Sequence, residues 1–423
     1  MSTGPTILDE LEWRGLLAQT TDDAALRDHF ASGPVTVYCG FDPTAPSLHF
    51  GNLVQLVVLR RMQRAGHRVI VLVGGSTGQI GDPKPTAERV LKTKDQTAAN
   101  VARIKSLVTP FLDFAGDNAA ILVDNLDWTA PLSALDFLRD VGQHFRVNQM
   151  IRKESVAARL NSEIGISYTE FSYQILQAMD FLHLFRTLGC TVQTGGQDQW
   201  GNLTAGVDLI HRVEGRSAHV ITTPLLTDEH GNKFGKSEGN AVWLSSDMTS
   251  PYAFYQYWIN IADSQVGRLL RVFTDRTAEE IEALERATAE TPHLRAAQRV
   301  LAADVTTLVH GPTATEQVEH ASRVLFGKGD PAALDAGTLR DATAELAGGT
   351  VDPGSTVVDA LVATGLADSR GAARRLIGEG GVSVNNVKVT DVEHVLGAGD
   401  FLHDEVALVR RGRKHLAAAR KAS

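Results

Sequence analysis

The sequence predicts an α/β fold, a doubly wound parallel sheet followed by an α-helical region and a small α+β unit. Three observations carry this. Val35-Thr36-Val37-Tyr38-Cys39 and Val69-Ile70-Val71-Leu72-Val73 are short β-branched runs, each ending at glycine, with a helical stretch from Leu53 to Gln63 between them. Strand, loop, helix, strand is a βαβ unit and implies parallel neighbours. From Pro251 to about Phe326 the apolar period becomes helical, with no clear strand. After Pro353 a basic helix is followed by a hairpin pattern.

Taken in order, Leu132 to Gln143 and Thr169 to Arg186 read as helices, and His219-Val220-Ile221-Thr222 as a further strand. In a sheet of this kind, ligands sit at the carboxyl ends of the strands beside the switch in strand order. Val351-Asp352-Pro353-Gly354-Ser355 follows a Gly-Gly pair and reads as a linker. Gly371-Ala372-Ala373-Arg374-Arg375-Leu376-Ile377 reads as the basic helix. Gly381 to Val389 reads as a hairpin turning at Asn385-Asn386.

The 423 residues, 43% hydrophobic and 22% charged, suffice for two or three domains with their own cores. Net charge is −9. From Arg370 onward there are ten basic and six acidic side chains, net +4, which leaves −13 on the rest. A basic end on an acidic body suits a local phosphate-binding surface, or simply a solvated tail. Cys39 and Cys190 give no disulfide framework. The N-terminus, with Asp9, Glu10 and Glu12, does not resemble a secretory signal, and no run approaches the ~20 apolar residues of a membrane span. A reducing, cytoplasmic location is expected.

Two segments suit phosphate. Gly40-Phe41-Asp42-Pro43-Thr44-Ala45 leaves the first strand, and His49-Phe50-Gly51-Asn52 opens the next helix. A helix start offers N–H groups and the positive end of a dipole. Gly51 admits a flat base or ribose close to the backbone, and His49 and Asn52 can donate hydrogen bonds. The same residues could instead only cap the helix. Far downstream, Lys233-Phe234-Gly235-Lys236-Ser237 sets two lysines around a glycine in a polar stretch. It suits a loop that closes over a charged group, or an ordinary solvated loop.

The pair of segments resembles the HIGH and KMSKS patterns of class I aminoacyl-tRNA synthetases. Tyr38 to Ala45, Gly81-Asp82-Pro83, Phe171 to Asp180 and Gly195-Gly196-Gln197-Asp198-Gln199-Trp200-Gly201-Asn202 look like the bacterial tyrosyl-tRNA synthetase family, over nearly the whole chain. Tyr173, Gln177 and Asp180 also fall at i, i+4 and i+7. They share one face of an otherwise apolar helix and are expected to line a cavity. A structural polar cluster is the competing reading.

The resemblance implies a Rossmann-like catalytic domain over 1–225 and a KMSKS-type loop and connector over 226–248. A helical anticodon-binding domain over 249–345, a linker over 346–356 and an RNA-binding domain over 357–423 follow. It implies ATP and L-tyrosine as substrates, Mg2+ with the pyrophosphate, tRNA(Tyr) as partner and a homodimer, with no membrane and no protein-held metal. Tyr38 and Asp180 are implied at the substrate phenol. Tyr173 and Gln177 are implied at its α-amino group, with Asp82, Asn125 and Gln199 in the same tyrosine site. Thr44, His49 and Asn52 go to the phosphates. Asp42, Gly51, Gly196 and Asp198 go to the rest of ATP. Lys233, Lys236 and Ser237 close over the pyrophosphate, with Lys84 and Arg89 in a second loop. Arg370, Arg374 and Lys388 are implied at tRNA phosphates.

The chain departs from the family at three points. Asn52 stands where HIGH ends in an imidazole, Phe-Gly replaces Met-Ser in KMSKS, and the loop after Asp82 is about one residue shorter. Tryptophanyl-tRNA synthetase shares the fold, but Asp180, the Gly40-to-Ala45 run and the C-terminal unit argue against it. A non-catalytic RNA-binding protein on the same fold is opposed by intact Asp42, His49, Lys233 and Lys236. Another nucleotidylyltransferase would not need the basic tail.

Overall fold

In a computed structural model of the chain, the described residues are 6–84, 88–163, 165–227, 234–237, 240–325, 327–344, 346–412 and 415–422. They divide into two compact units. One comprises residues 1–248 with 262–297, the other 249–261 with 298–423.

The first unit is built on a six-stranded sheet. Its strands are β1 (Gln19–Thr20), β2 (Thr36–Phe41), β3 (Arg68–Val73), β4 (Ile121–Asp124), β5 (Val192–Gly196) and β6 (His219–Thr223). Their spatial order is β1-β6-β5-β2-β3-β4. Only the short edge strand β1 runs antiparallel. Because β2 continues to β3 on one side and meets β5 on the other, the switch in strand order lies between β2 and β5. Tyr38 pairs there with Gln193. The β-branched runs form strands because both faces of β2 and β3 are covered; Val37, Val69, Ile70, Val71 and Val73 have no exposed surface.

The expected helix after the first strand spans Phe50–Arg64. The Tyr168–Leu188 helix starts at Ser167, whose side chain accepts from the Glu170 N–H, and ends at left-handed Gly189. The helix expected over Leu132 to Gln143 is instead broken into a short turn at Ala134–Asp136, a π-helical turn at Phe137–Val141 and a 3-10 turn at Gly142–His144.

The expected helical region at 249–345 does not form one body. Helices Asp263–Phe273 and Ala278–Glu290 belong to the first unit. The bend between them is stapled by two buried arginines: Arg14 donates to the carbonyls of Arg271 and Thr274, and Arg61 donates to that of Thr274. Helices Pro251–Ile259, Pro312–Leu325 and Ala336–Thr343 belong to the second unit. There they join a five-stranded sheet of β9 (Gly348–Val351), β10 (Val382–Val384), β11 (Val387–Val389), β12 (Val406–Arg411) and β13 (His415–Lys421), numbered after a two-residue pair β7 (Lys236–Ser237) and β8 (Asn240–Ala241) in the first unit.

The linker expected over 346–356 contains β9, which pairs in parallel with β13. The glycines that read as a linker signal serve close packing. A Cβ on Gly348 would lie 2.1 Å from Arg420 Nη1, and one on Gly349 2.1 Å from the Ala363 carbonyl oxygen. The hairpin at Asn385-Asn386 forms as the sequence predicts, with φ of 47° and 64° at the two turn residues. Helix residues Val324, Leu339 and Ala342 share a core with Leu402, Leu408 and Ala418 of the sheet region.

Candidate active site

The carboxyl ends of β2 and β5, the start of the Phe50–Arg64 helix and the inner face of the Tyr168–Leu188 helix enclose a cavity of about 440 Å3. Tyr38, Asp82, Tyr173, Gln177, Asp180 and Gln199 line it, as do Asp42, Thr44, His49, Gly51, Asn52, Gly196 and Asp198. Most of the residues expected at the site are thus brought to one cavity from five separate stretches of sequence.

At the buried end, Asp180 is 2% and Tyr38 1% exposed. Asp180 Oδ1 accepts from the Trp128 indole N–H at 2.9 Å, and Oδ2 accepts from Asn125 Nδ2 at 2.9 Å. The Tyr38 hydroxyl is buried and, among the described residues, has no hydrogen-bond partner. Leaving a polar group in that state is costly, so it points to a ligand atom. Burial pushes the Asp180 carboxyl up to about 7, against the lowering effect of its two donors. Burial also raises the Tyr38 phenol, as does the neighbouring Asp180. The end of the cavity therefore presents one carboxylate and one hydroxyl to a third polar group.

Asn125, expected in the tyrosine site, does not itself line the cavity. It is fully buried behind the cavity, where its amide spans Asp180, Thr77 Oγ1 at 3.0 Å and the Ser76 N–H at 2.7 Å. It touches the cavity lining through Asp180 and Thr77. The Tyr173 hydroxyl donates to Asp42 Oδ2 at 2.7 Å, and Thr77 Oγ1 donates to Asp42 Oδ1 at 2.7 Å. Burial raises the Asp42 carboxyl, while these two bonds oppose the rise.

Asp82 anchors a polar cluster at the wall. Oδ1 takes Lys153 Nζ at 2.9 Å and Asn202 Nδ2 at 3.0 Å, and Gln199 Nε2 lies 3.4 Å from Oδ2.

At the helix start the capping arrangement forms and leaves side-chain donors over. His49 is the N-cap: its Nδ1 accepts from the Gly51 N–H at 3.1 Å, and Asn52 Oδ1 accepts from the His49 N–H at 3.2 Å. Since Nδ1 is the acceptor, a neutral His49 carries its proton on Nε2, and the Asn52 side chain retains its amide donors. Capping thus consumes acceptors and keeps donors, the polarity a phosphate needs.

The two motifs meet through their phenylalanines. Phe50 and Phe234 have ring centroids 5.7 Å apart. A Cβ on Gly235, whose φ is 88°, would lie 2.7 Å from Phe50 Cδ2, so only glycine fits there without displacement. The Leu244 N–H donates to the Leu48 carbonyl, and His49 bridges to Trp243. Lys233 lies outside the described residues. Lys236 and Ser237 are placed by their backbone in β7, next to Phe234 and Gly235 of the cavity wall.

Lys84 is exposed and does not line the cavity; Arg89 does. In the second unit Arg370, Arg374 and Lys388 are exposed, and Arg370 is paired with Asp359.

Trp128, Gln193, Lys153 and Asn202 also shape the site. Gln193 is 1% exposed, and its Oε1 has no partner among the described residues. A glutamine inside the buried strand Val192–Gly196 was a signal the sequence offered. Trp128 and Lys153 carried none, since each reaches its partner from a distant stretch.

A doubly wound sheet with a His-x-Gly helix start at its switch point and a Lys-Ser loop packed against it defines a class I aminoacyl-tRNA synthetase. Residues 31–327 match the tRNA synthetases class I (W and Y), and residues 343–418 match the SYY-like C-terminal domain of tyrosine–tRNA ligases. The chain belongs to the tyrosine–tRNA ligase family. The tyrosine–tRNA ligase of Streptomyces coelicolor is 57% identical over 413 residues, covering 97% of this chain and 98% of that one. That of Mycobacterium sp. (strain JLS) is 53% identical over 420 residues, covering 98% and 99%. Among solved structures, a C-terminally truncated mitochondrial tyrosyl-tRNA synthetase from Aspergillus nidulans superposes with a TM-score of 0.70 at 30% identity, covering 77% of this chain and 95% of that one. A tryptophanyl-tRNA synthetase from Encephalitozoon cuniculi, at a TM-score of 0.54 and 15% identity over 73% of this chain and 87% of that one, shares the fold.

Proposed function

We propose that this chain activates L-tyrosine with ATP, forming tyrosyl-adenylate and pyrophosphate, and then transfers tyrosine to the 3′ end of tRNA(Tyr). The observation that carries the choice of amino acid is the buried Tyr38 hydroxyl opposite Asp180. A substrate phenol placed between them donates to the Asp180 carboxylate and accepts from Tyr38. Phenylalanine would leave the Tyr38 hydroxyl unpaired and Asp180 without its third donor in a dry site, a discrimination for which this enzyme class is itself the standard illustration. Indole has no oxygen to accept from Tyr38.

The substrate carboxylate is ionised at neutral pH and attacks the α-phosphorus directly, with pyrophosphate leaving along its bond to that atom. No general base is needed. Catalysis comes from positioning and from stabilising the crowded α-phosphoryl group and the departing pyrophosphate. His49, Asn52 and Thr44 serve the phosphates, and Arg89, which also lines the cavity, is assigned to the pyrophosphate as the cation of the second loop. Lys233, Lys236 and Ser237 close over the pyrophosphate. Gly51, Gly196, Asp42 and Asp198 face the nucleotide, while Tyr173, Gln177, Asp82 and Gln199 face the α-amino end of tyrosine. The donors at the helix start suit phosphate oxygens rather than a cation, so Mg2+ would be held by the pyrophosphate oxygens of ATP and would offset their charge. In the second step a ribose hydroxyl of the tRNA attacks the adenylate's carbonyl carbon and AMP leaves.

Exposed Arg370 and Arg374 on the Arg370–Gly378 helix and Lys388 on β11 support a phosphate-contacting role for the C-terminal unit, which gives salt-dependent affinity rather than sequence choice. Tyrosine-dependent exchange of labelled pyrophosphate into ATP is expected, followed by tRNA charging that weakens as salt rises. Equal exchange with tryptophan, or none with tyrosine, sinks the assignment.

Exposed apolar Leu135, Leu138, Val147, Leu160 and Tyr168 lie within one stretch of the chain and support a homodimer formed there. Sedimentation at twice the chain mass, lost in Leu135→Asp, is the expected result; a monomer at micromolar concentration counts against it. No described helix is long and apolar enough to cross a membrane. Cys39 and Cys190, both buried free thiols, fit a reducing cytoplasm, and recovery in a membrane or secreted fraction would oppose that placement.

A further inference from the structure

Arg159 and Glu170 form an ion pair with side chains only 1% and 2% exposed, Nη2 to Oε2 3.0 Å apart. Neither lines the cavity. Burying two charges costs several kcal/mol per ion, and apolar residues of similar volume often do as well or better. Such a pair calls for a second use, and its other hydrogen bonds indicate one. Glu170 Oε1 accepts the backbone N–H of Arg89 at 3.0 Å. Arg159 Nη1 donates to the Lys84 carbonyl at 3.2 Å, and its Nε donates to the Gly165 carbonyl at 2.8 Å. Lys84 and Arg89 are thus both fastened to one buried pair.

Arg89 is constrained at its other end too. Its Nε donates to the Asp82 carbonyl at 2.7 Å. Its stem crosses Gly81, where φ is 82° and a Cβ would lie 3.1 Å from Arg89 Cγ. Glu170 stands in the first turn of the helix that carries Tyr173, Gln177 and Asp180. A tilt of that helix relative to Arg89 therefore strains the Glu170–Arg89 bond.

We propose that Arg159 and Glu170 are positioning residues for Arg89, fixing its guanidinium against the leaving pyrophosphate in register with the tyrosine-binding helix. The proposal rests on the reading of Arg89 as a phosphate contact. Fixing a charged group in place before reaction is where activation gains most, and a displacement of ~1 Å costs on the order of 100-fold in rate.

The test is pyrophosphate exchange at saturating tyrosine with Arg89→Ala, Glu170→Gln and the double variant, beside a tyrosine KM for each. Arg89→Ala is expected to lower kcat by about 100-fold. Glu170→Gln is expected to lower it by about 10-fold, with the tyrosine KM within about twofold. The double variant should be no slower than Arg89→Ala alone, because both act through one guanidinium. Unchanged kcat in Arg89→Ala defeats the phosphate reading itself. A slow Arg89→Ala with unchanged or fully additive Glu170→Gln overturns the positioning proposal and leaves that reading intact. Should Glu170→Gln fold poorly, Glu170→Asp keeps the charge pair while shortening the reach to the Arg89 N–H, and the same comparison decides.

Discussion

Asp180→Ala is expected to lower kcat/KM for tyrosine by about 100-fold or more, while leaving whatever slow activity exists with phenylalanine unchanged. In the function proposed above the carboxylate is the substrate phenol's acceptor, and a hydrogen bond to a charged group contributes about 1.5–3 kcal/mol. Its loss also strands the phenol in a site where the Tyr38 hydroxyl is already unpartnered among the described residues. The variant should fold. Burial holds Asp180 up to about 7, well above the ordinary carboxylate, so its ionised form opposes folding. That group's stabilising contribution is present below the unfolded pKa near 4 and is lost as pH rises through about 7. Deleting it at pH 8 removes an unfavourable charge, which offsets the cost of leaving the Asn125 and Trp128 donors without their acceptor.

The same raised value sets a pH signature. In the empty site Asp180 protonates below about 7 and then offers a hydroxyl where the substrate needs an acceptor. Tyrosine affinity in the unaltered protein should fall as pH drops from 8 to 6, by up to about tenfold per unit below 7. Asp180→Ala should bind weakly and equally across that range. Titration calorimetry at fixed ionic strength reads both, and a flat profile in the unaltered protein defeats the assignment of Asp180.

What the sequence disclosed and what it hid differ by range. Tyr173, Gln177 and Asp180 were legible because helical spacing places them on one face whatever lies opposite. His49 to Asn52 were legible because a helix start after a strand has few geometries. The groups that tune them were hidden. Trp128 and Asn125 reach Asp180 from 52 and 55 residues away, and Lys153 reaches Asp82 from 71 away, without a local pattern to mark them.

The same limit explains the domain boundaries. Gly348 and Gly349 carry the composition of a linker, and only the presence of Arg420 and Ala363 above them makes an edge strand of the segment. The helical period from Pro251 to Phe326 was correct, but periodicity does not say which sheet a helix packs on. The buried arginines that hold the 274–276 bend to the first unit come from the opposite end of the sequence.

His49 allows capping and catalysis to be separated. His49→Ala removes both the cap and the Nε2 donor. It is expected to cost about 1 kcal/mol of stability through the cap, and about 100- to 1,000-fold in the kcat of pyrophosphate exchange through the donor. The tyrosine KM should be little changed, because the proposed function assigns His49 to the nucleotide and Tyr38 and Asp180 to the tyrosine phenol. His49→Ser divides the two effects. A serine hydroxyl accepts from a helix N–H as the imidazole Nδ1 does from Gly51, so stability should return to within a few tenths of a kcal/mol. The serine side chain is too short to replace an Nε2 donor, so kcat should stay as low as in His49→Ala. The discriminating quantity is therefore the ratio of the two variants. If His49→Ser recovers activity together with melting temperature, His49 serves only the helix, and the phosphate contact must be sought at Asn52 and at the lysines of the second motif.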